Sequence, residues 1–281
     1  MSLKNLSVKT KIPKLFQDKL NNKKILQIYR RFEKTLNVNE NFAVAVSGGP
    51  DSLALAFLAK IYSLKRKLNP KFFIIDHKLR IESTKEAKFV KKILKQFSIN
   101  LEILTWKGKK PSKNIQSIAR NKRYQLLFTK CDKFKINTIL LGHHRDDLFE
   151  NFFIRLLRGS GLKGLVSFDK ENKINNKNLL RPLLNQNKED LLFLSEKVFN
   201  FYVKDPSNRD LKYQRIKIRK LIEELQENGL DKKKFLKTIN NLKYSNMVVN
   251  FYVNRNLEKN TFFSKKNKKF IIKKNFFEQP Y

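Results

Sequence analysis

The sequence predicts an α/β fold: a doubly wound parallel sheet with a small, mainly helical carboxyl-terminal domain. Short apolar runs alternate with stretches of helical periodicity, the pattern of a parallel sheet covered on both faces. Polar motifs fall directly after those runs, on the edge where open α/β sheets bind ligands. Beyond about residue 210 the alternation gives way to helical stretches and a lysine-rich tail. Residues 1–210 are therefore expected to form one domain and residues 211–281 a second.

Residues 42–46 (Phe-Ala-Val-Ala-Val) read as a buried strand. Ser47, Gly48, Gly49, Pro50, Asp51 and Ser52 then make a tight turn, and an apolar helix runs from residue 53 to about 62. Glycines in that place let backbone N–H groups approach an anion at the positive end of a helix. No Lys-Ser or Lys-Thr follows at the Walker spacing, so this is a different kind of phosphate loop. Residues 71–76 read as the second strand, ending in Asp76-His77-Lys78-Leu79-Arg80. Ser83 and Glu86 are spaced as a capping box, ahead of Ala87, Val90, Leu94 and Phe97 at helical intervals. Residues 101–105 form a third strand, 114 to about 133 a helix, and 137–141 a fourth strand closed by Gly142-His143-His144-Arg145-Asp146-Asp147. The chain has three histidines, and all of them (His77, His143, His144) follow a predicted strand on the edge that carries the glycine turn. A helix is expected over about 187–199, a turn cluster over 205–210, and two helices over 213–227 and 230 to about 257. Residues 264–274 interleave lysines with apolar residues, either as a basic strand contacting phosphates or as a frayed tail.

Lys+Arg 62 against Asp+Glu 25 gives a net charge of +37, which points to a polyanionic partner. Biased codon supply can exchange Arg for Lys, but it does not create that excess. No apolar run approaches the ~20 residues a spanning helix needs, and residues 1–7 lack the apolar core of a secretory signal. One cysteine, Cys131, allows no internal disulfide and no Cys-x-x-Cys site. These features lead to the expectation of a cytoplasmic protein that does not enter a membrane. Nothing in the sequence sets the oligomeric state.

Taken together, the motifs resemble those of the tRNA(Ile)-lysidine synthetases, which belong to the PP-loop ATP pyrophosphatases. The resemblance spans about residues 41–220. It rests on residues 47–52, 76–80, Ala119-Arg120-Asn121-Lys122-Arg123-Tyr124, 143–147, the run from Arg155 through Arg158 to Leu165, Arg181-Pro182-Leu183, and Asp205-Pro206-Ser207-Asn208. The arginine- and glycine-rich run together with the Asp-Pro-Ser-Asn turn is the most specific part. Two departures stand out. Leu148 replaces the glutamine usual after the paired aspartates, and Arg215-Ile216-Lys217-Ile218-Arg219 lacks the family's asparagine.

The resemblance implies that ATP and Mg²⁺ activate C2 of the wobble cytidine in an isoleucine tRNA with a CAU anticodon. The side-chain amine of free L-lysine then displaces AMP. Ser47 to Ser52, Asp76 and His77 would bind ATP, with Asp51 also holding Mg²⁺. Asp51, Arg120, His143, His144 and Asp147 would be catalytic, and Asp146, Asp147 and Glu150 would take the lysine ammonium. Arg123, Arg155, Arg158, Arg215 and Arg219 would contact tRNA or phosphate. The lysine ammonium, with its ordinary pKa near 10.4, needs a base or a desolvating site before it can attack. The bland readings are solvated arginines on one helix, and first-turn carboxylates favoured by the helix dipole. Another PP-loop enzyme acting on tRNA is one rival, although a thiolase generally wants paired cysteines. A non-catalytic RNA-binding protein on the same fold is the other.

Overall fold

The computed structural model describes residues 12–108, 115–203, 214–264 and 268–278. The chain divides into two compact units. The first comprises Met1–Phe149 with Asp169–Asp210, and the second Glu150–Phe168 with Leu211–Tyr281. Residues 150–168, expected in the first domain, group with the second, where Phe153 stacks on Phe235 and Phe152 meets it edge-on, each with ring centres 5.2 Å apart.

The first unit holds a six-stranded sheet. Strands β1 (Phe42–Val46), β2 (Lys71–Asp76), β3 (Leu101–Thr105), β4 (Thr138–Leu140), β5 (Glu171–Ile174) and β6 (Lys177–Leu180) lie in the order β3-β2-β1-β4-β6-β5. All pairings are parallel except β5 with β6. Alternate residues of β1 serve opposite faces. Phe42, Val44 and Val46 enter one apolar cluster, with α2, α3, α4 and α8 (Lys23–Thr35, Pro50–Arg66, Ser83–Gln96, Lys188–Phe199). Ala43 enters the other, with α5 (Ile115–Lys133). That two-sided burial is why the strand reads as an unbroken apolar run. From β1 the chain winds outward to β3 and then returns to β4 on β1's other side. The order therefore reverses between β1 and β4, the place where such sheets open a ligand crevice.

Several local readings change. The helix expected over 53–62 is α3, Pro50–Arg66, with Pro50 in its first turn, where a missing N–H costs nothing. The capping box at Ser83 does not form. The N-cap is Glu82, Ser83 Oγ donates to Asp76 Oδ1 (2.7 Å), and Glu86 takes Arg80 instead (2.9 Å). An ionised carboxylate arriving from β2 outcompetes the helix's own N–H groups for that hydroxyl. Two helices, α1 (Lys14–Leu20) and α2, precede β1. Asn22 caps α2 by accepting the Lys24 and Ile25 N–H groups. The β5–β6 hairpin turns on Asn175 and Asn176, both at positive φ, as a two-residue turn requires. The cluster at 205–210 lies outside the described residues.

The second unit contains the end of α6 (Arg145–Leu156), α7 (Leu162–Leu165), α9 (Gln214–Glu227) and α10 (Lys232–Asn260). It also contains a hairpin of β7 (Thr261–Ser264) and β8 (Lys269–Ile272). Residues 269–272 of the basic tail are thus strand. Asp231 caps α10 by accepting the Lys233 and Lys234 N–H groups.

Candidate functional site

The glycine turn joins β1 to α3 at the point where strand order reverses. Gly48 has φ +86°, and a Cβ there would lie 2.9 Å from side-chain carbons of Val90 and Val203. Gly48 O also accepts the Val203 N–H at 2.9 Å. Only glycine meets both demands. Ser52 Oγ accepts the Ser47 N–H (3.0 Å) and donates to Gly49 O (3.0 Å), which ties the turn to the first turn of α3. Ser195 Oγ on α8 braces the outside by donating to Pro50 O at 2.6 Å. The first N–H groups of α3 have no partner within the helix and add to its dipole, so the turn suits an anion.

Gly142 brings the second motif against the first: a Cβ there would sit 3.2 Å from Ser52 N and Cα. His144, buried at the head of α6, consequently places Nε2 3.6 Å from Asp51 Oδ2 and 3.8 Å from Asp147 Oδ2. Its Nδ1 accepts the Asp146 N–H (3.1 Å), while Asp147 Oδ2 accepts the His144 N–H (2.9 Å). This is a reciprocal cap with a histidine in the serine role. Because Nδ1 is an acceptor, the proton sits on Nε2, facing the two carboxylates. Asp147 therefore fills the helix-capping role of the bland reading and also adjoins Asp51. Burial raises the Asp51 carboxyl above its ordinary range, and Asp147 adds to the shift, against His144 and Lys188. Asp51 Oδ1 is buried without a hydrogen-bond partner.

At the end of β2, Asp76 turns inward. Its carboxylate accepts from Ser83 Oγ, Thr84 Oγ1 (2.6 Å) and the Lys78 N–H (3.0 Å). Burial pushes its pKa up, but those three donors outweigh it and hold the pKa below the usual value. The Asp76 side chain thus shapes the 77–80 turn. His77 is held neutral, its pKa brought down to about 4 by burial and by Arg123, against Asp76. Its Nε2 accepts from Arg123 Nε at 3.4 Å, which carries α5 to this edge of the sheet. Arg120, one turn earlier, is exposed beside the Tyr124 ring. Arg181, buried after β6, donates to Asp169 O and Asn172 Oδ1, and its charge acts on Arg120 and Asp147.

Glu150 is buried and paired with Arg219 within the second unit, so each engages the other. Arg158 donates to Gln214 Oε1 (3.0 Å), and Arg215 is exposed on α9. Arg155 ends α6. His143 is half-buried beside Gly142. Leu148, where the family has glutamine, is buried, which explains the apolar substitution. Cys131 is buried against the sheet with its thiol pushed up to about 12, first by burial, so it is no candidate for sulfur chemistry. Sequence reading missed Lys188, Ser195 and Val203, which act on the glycine turn from far along the chain. Among the described residues no helix is long and apolar enough to cross a membrane.

The PP-loop domain family matches residues 17–225. The tRNA(Ile)-lysidine synthase of Orientia tsutsugamushi is 43% identical over 187 residues, covering 66% of this chain and 42% of that protein. That of Bradyrhizobium sp. strain BTAi1 is 35% identical over 208 residues, covering 73% and 58%. The chain thus spans about half the length of the curated relatives it matches. Among solved structures, a U34-tRNA thiolase from Methanococcus maripaludis superposes with a TM-score of 0.66 at 21% identity, covering 78% of this chain and 79% of that one. At that identity the likeness concerns the fold alone.

Proposed function

The chain belongs to the PP-loop domain family, and from that premise we propose that it is a lysidine-forming ligase. In this reading it uses ATP to join free lysine to C2 of the wobble cytidine in a CAU-anticodon isoleucine tRNA, through an adenylated cytidine, releasing pyrophosphate and AMP. The observation that carries it is the junction of Asp51, His144 and Asp147 at 3.6 and 3.8 Å. There the phosphate turn and the acidic head of α6 meet at one crevice.

The residues suit the steps. The β- and γ-phosphates would lie on the turn of residues 47–52, where N–H groups offset the charge of the departing pyrophosphate. Mg²⁺ fits beside Asp51, whose Oδ1 is buried and unbonded. One or two carboxylates plus phosphate oxygens are its usual protein ligation. When bound, it would neutralise charge on the phosphates. Arg120, exposed on α5, would meet the α-phosphate or the RNA. Asp146 and Asp147 would attract the lysine ammonium. Of the two histidines, His144 has its Nδ1 occupied and its Nε2 proton facing carboxylates, which leaves His143 to take the amine's proton. The wobble base must leave its stack to reach the crevice, and a chain of +37 charge suits the anticodon stem. A cytoplasmic location follows from that substrate.

The test supplies labelled lysine, ATP–Mg²⁺ and CAU-anticodon isoleucine tRNA transcript, and measures acid-insoluble label. Incorporation is expected, and Asp51→Ala should abolish it while tRNA affinity persists. Folded protein that binds the tRNA but never incorporates lysine would overturn the proposal in favour of a non-catalytic RNA-binding role.

A further inference from the structure

Five of the 14 residues of α4 are lysines, and its one acid, Glu86, is engaged by Arg80 at 2.9 Å. Ala87, Val90, Ile93 and Leu94 form its buried face. Lys85, Lys88, Lys92 and Lys95, spaced by three, four and three residues, make one exposed row on the opposite face. Among the described residues none of these four forms an ion pair. Like charges at such intervals weaken a helix, and a merely solvated face ordinarily mixes signs. The row begins beside the crevice. Asp76 accepts from Ser83 and Thr84 at the head of α4, and Val90 packs against Gly48. Asp76 also takes the N–H of Lys78, which is exposed and sits at φ +52°. Among the described residues every other non-glycine at positive φ ends a helix or turns a hairpin. Lys78 instead holds that costly conformation at the ligand edge of the sheet.

We propose that Lys78 and the α4 row form a docking surface for the backbone of a base-paired RNA stem, the stem next to the nucleotide that enters the crevice. The identity of that RNA, an isoleucine tRNA, rests on the lysidine-forming reading; the surface itself does not. None of the arginines expected to touch RNA lies on α4. This helix returns from the end of β2 to the start of the parallel β3, so its row leads away from the crevice. From Lys85 to Lys95 the row spans ~15 Å, roughly four phosphates of one duplex strand. Lysine is a point charge on a flexible stem, suited to following a backbone without reading bases. A single strand would call for stacking rings as well. The one ring exposed on α4, Phe89, is packed edge-on with Phe201 at 4.7 Å between centres. A stem is therefore the better match.

The experiment measures binding of a CAU-anticodon stem-loop RNA to the full chain over a series of salt concentrations. Lys88→Gln with Lys92→Gln keeps a good helix former at two exposed sites and should lower affinity ~10-fold or more. The slope of log K against log salt should become shallower by nearly two, at ~0.9 per lost phosphate contact. Lys23→Gln with Lys34→Gln, exposed on α2, removes the same charge and should leave the slope in place. Binding of an ATP analogue should be unchanged in both double variants. Lys78→Gly should lose one contact with no fall in thermal midpoint, because the strain leaves with the side chain, and Lys78→Arg should keep the contact. An unaltered slope in the α4 pair, an equal loss in the α2 pair, or equal sensitivity on the unpaired loop strand alone would overturn the proposal. A parent protein that shows these slopes but never incorporates lysine would remove the ligase reading and leave the surface standing.

Discussion

Gly48→Ala is the most informative single change, because its cost follows from two independent features of the turn. The residue sits at φ +86°, where a Cβ costs ~1–2 kcal/mol. That Cβ would also lie 2.9 Å from carbons of both Val90 and Val203, and overpacking of this kind costs ~1–3 kcal/mol. The sum is about 3 kcal/mol, enough to lower the thermal midpoint of a protein this size by roughly 6–12 °C. Val203→Ala removes one of the two clashes and leaves the backbone penalty. The double variant should therefore lose less than the two single losses added, by ~1 kcal/mol or more. Urea unfolding measures the stabilities, and equilibrium binding of an ATP analogue follows the cradle in parallel. If Gly48→Ala changed stability by less than ~0.5 kcal/mol, the size of an ordinary surface substitution, the left-handed turn and the anion cradle built on it would both be wrong.

Three further outcomes follow from the site. Asp76→Asn should cost ~1–3 kcal/mol at neutral pH, because charge-assisted bonds from Ser83, Thr84 and the Lys78 N–H are lost. The folded-state pKa of Asp76 is depressed. Its contribution is therefore present above the unfolded value and lost as pH falls through the folded one, and variant and parent should converge in acid. Glu150→Ala should destabilise by about 2 kcal/mol through loss of the buried ion pair with Arg219, with KM for lysine unchanged in the protein that remains folded; a raised KM at full stability would restore Glu150 to the substrate. His144→Asn can still accept the Asp146 N–H but cannot reach Asp51. Unfolding should hold within ~0.5 kcal/mol while kcat falls roughly 100-fold, and His144→Gln should recover part of that loss.

How much of this was legible in the sequence depended on whether the deciding contact was local. The strand over 42–46, its turn and the second strand could be read because burial on both faces forces an unbroken apolar run. Ile25, Ile28, Tyr29 and Phe32 carry as clear a helical period behind the Asn22 cap, yet α2 lay before the segment where motifs drew attention. The Ser83 cap failed because Asp76, seven residues away on the neighbouring strand, is a stronger acceptor than spacing rules consider. Glu150 looked like a third carboxylate for substrate because its partner, Arg219, lies 69 residues on. The meeting of Asp51 with His144 is a long-range fact of topology: strand order reverses between β1 and β4, and sequence gives the strands but not their order.

The decisive measurement follows labelled ATP and labelled lysine together, on CAU-anticodon isoleucine tRNA and on the same transcript with its wobble cytidine changed to uridine. AMP release and lysine incorporation should be equal on the first RNA, absent on the second, and absent with Asp51→Ala on either. AMP release that ignores the wobble base, or incorporation that survives loss of the Asp51 carboxylate, would contradict a crevice in which one glycine turn drives chemistry on one nucleotide.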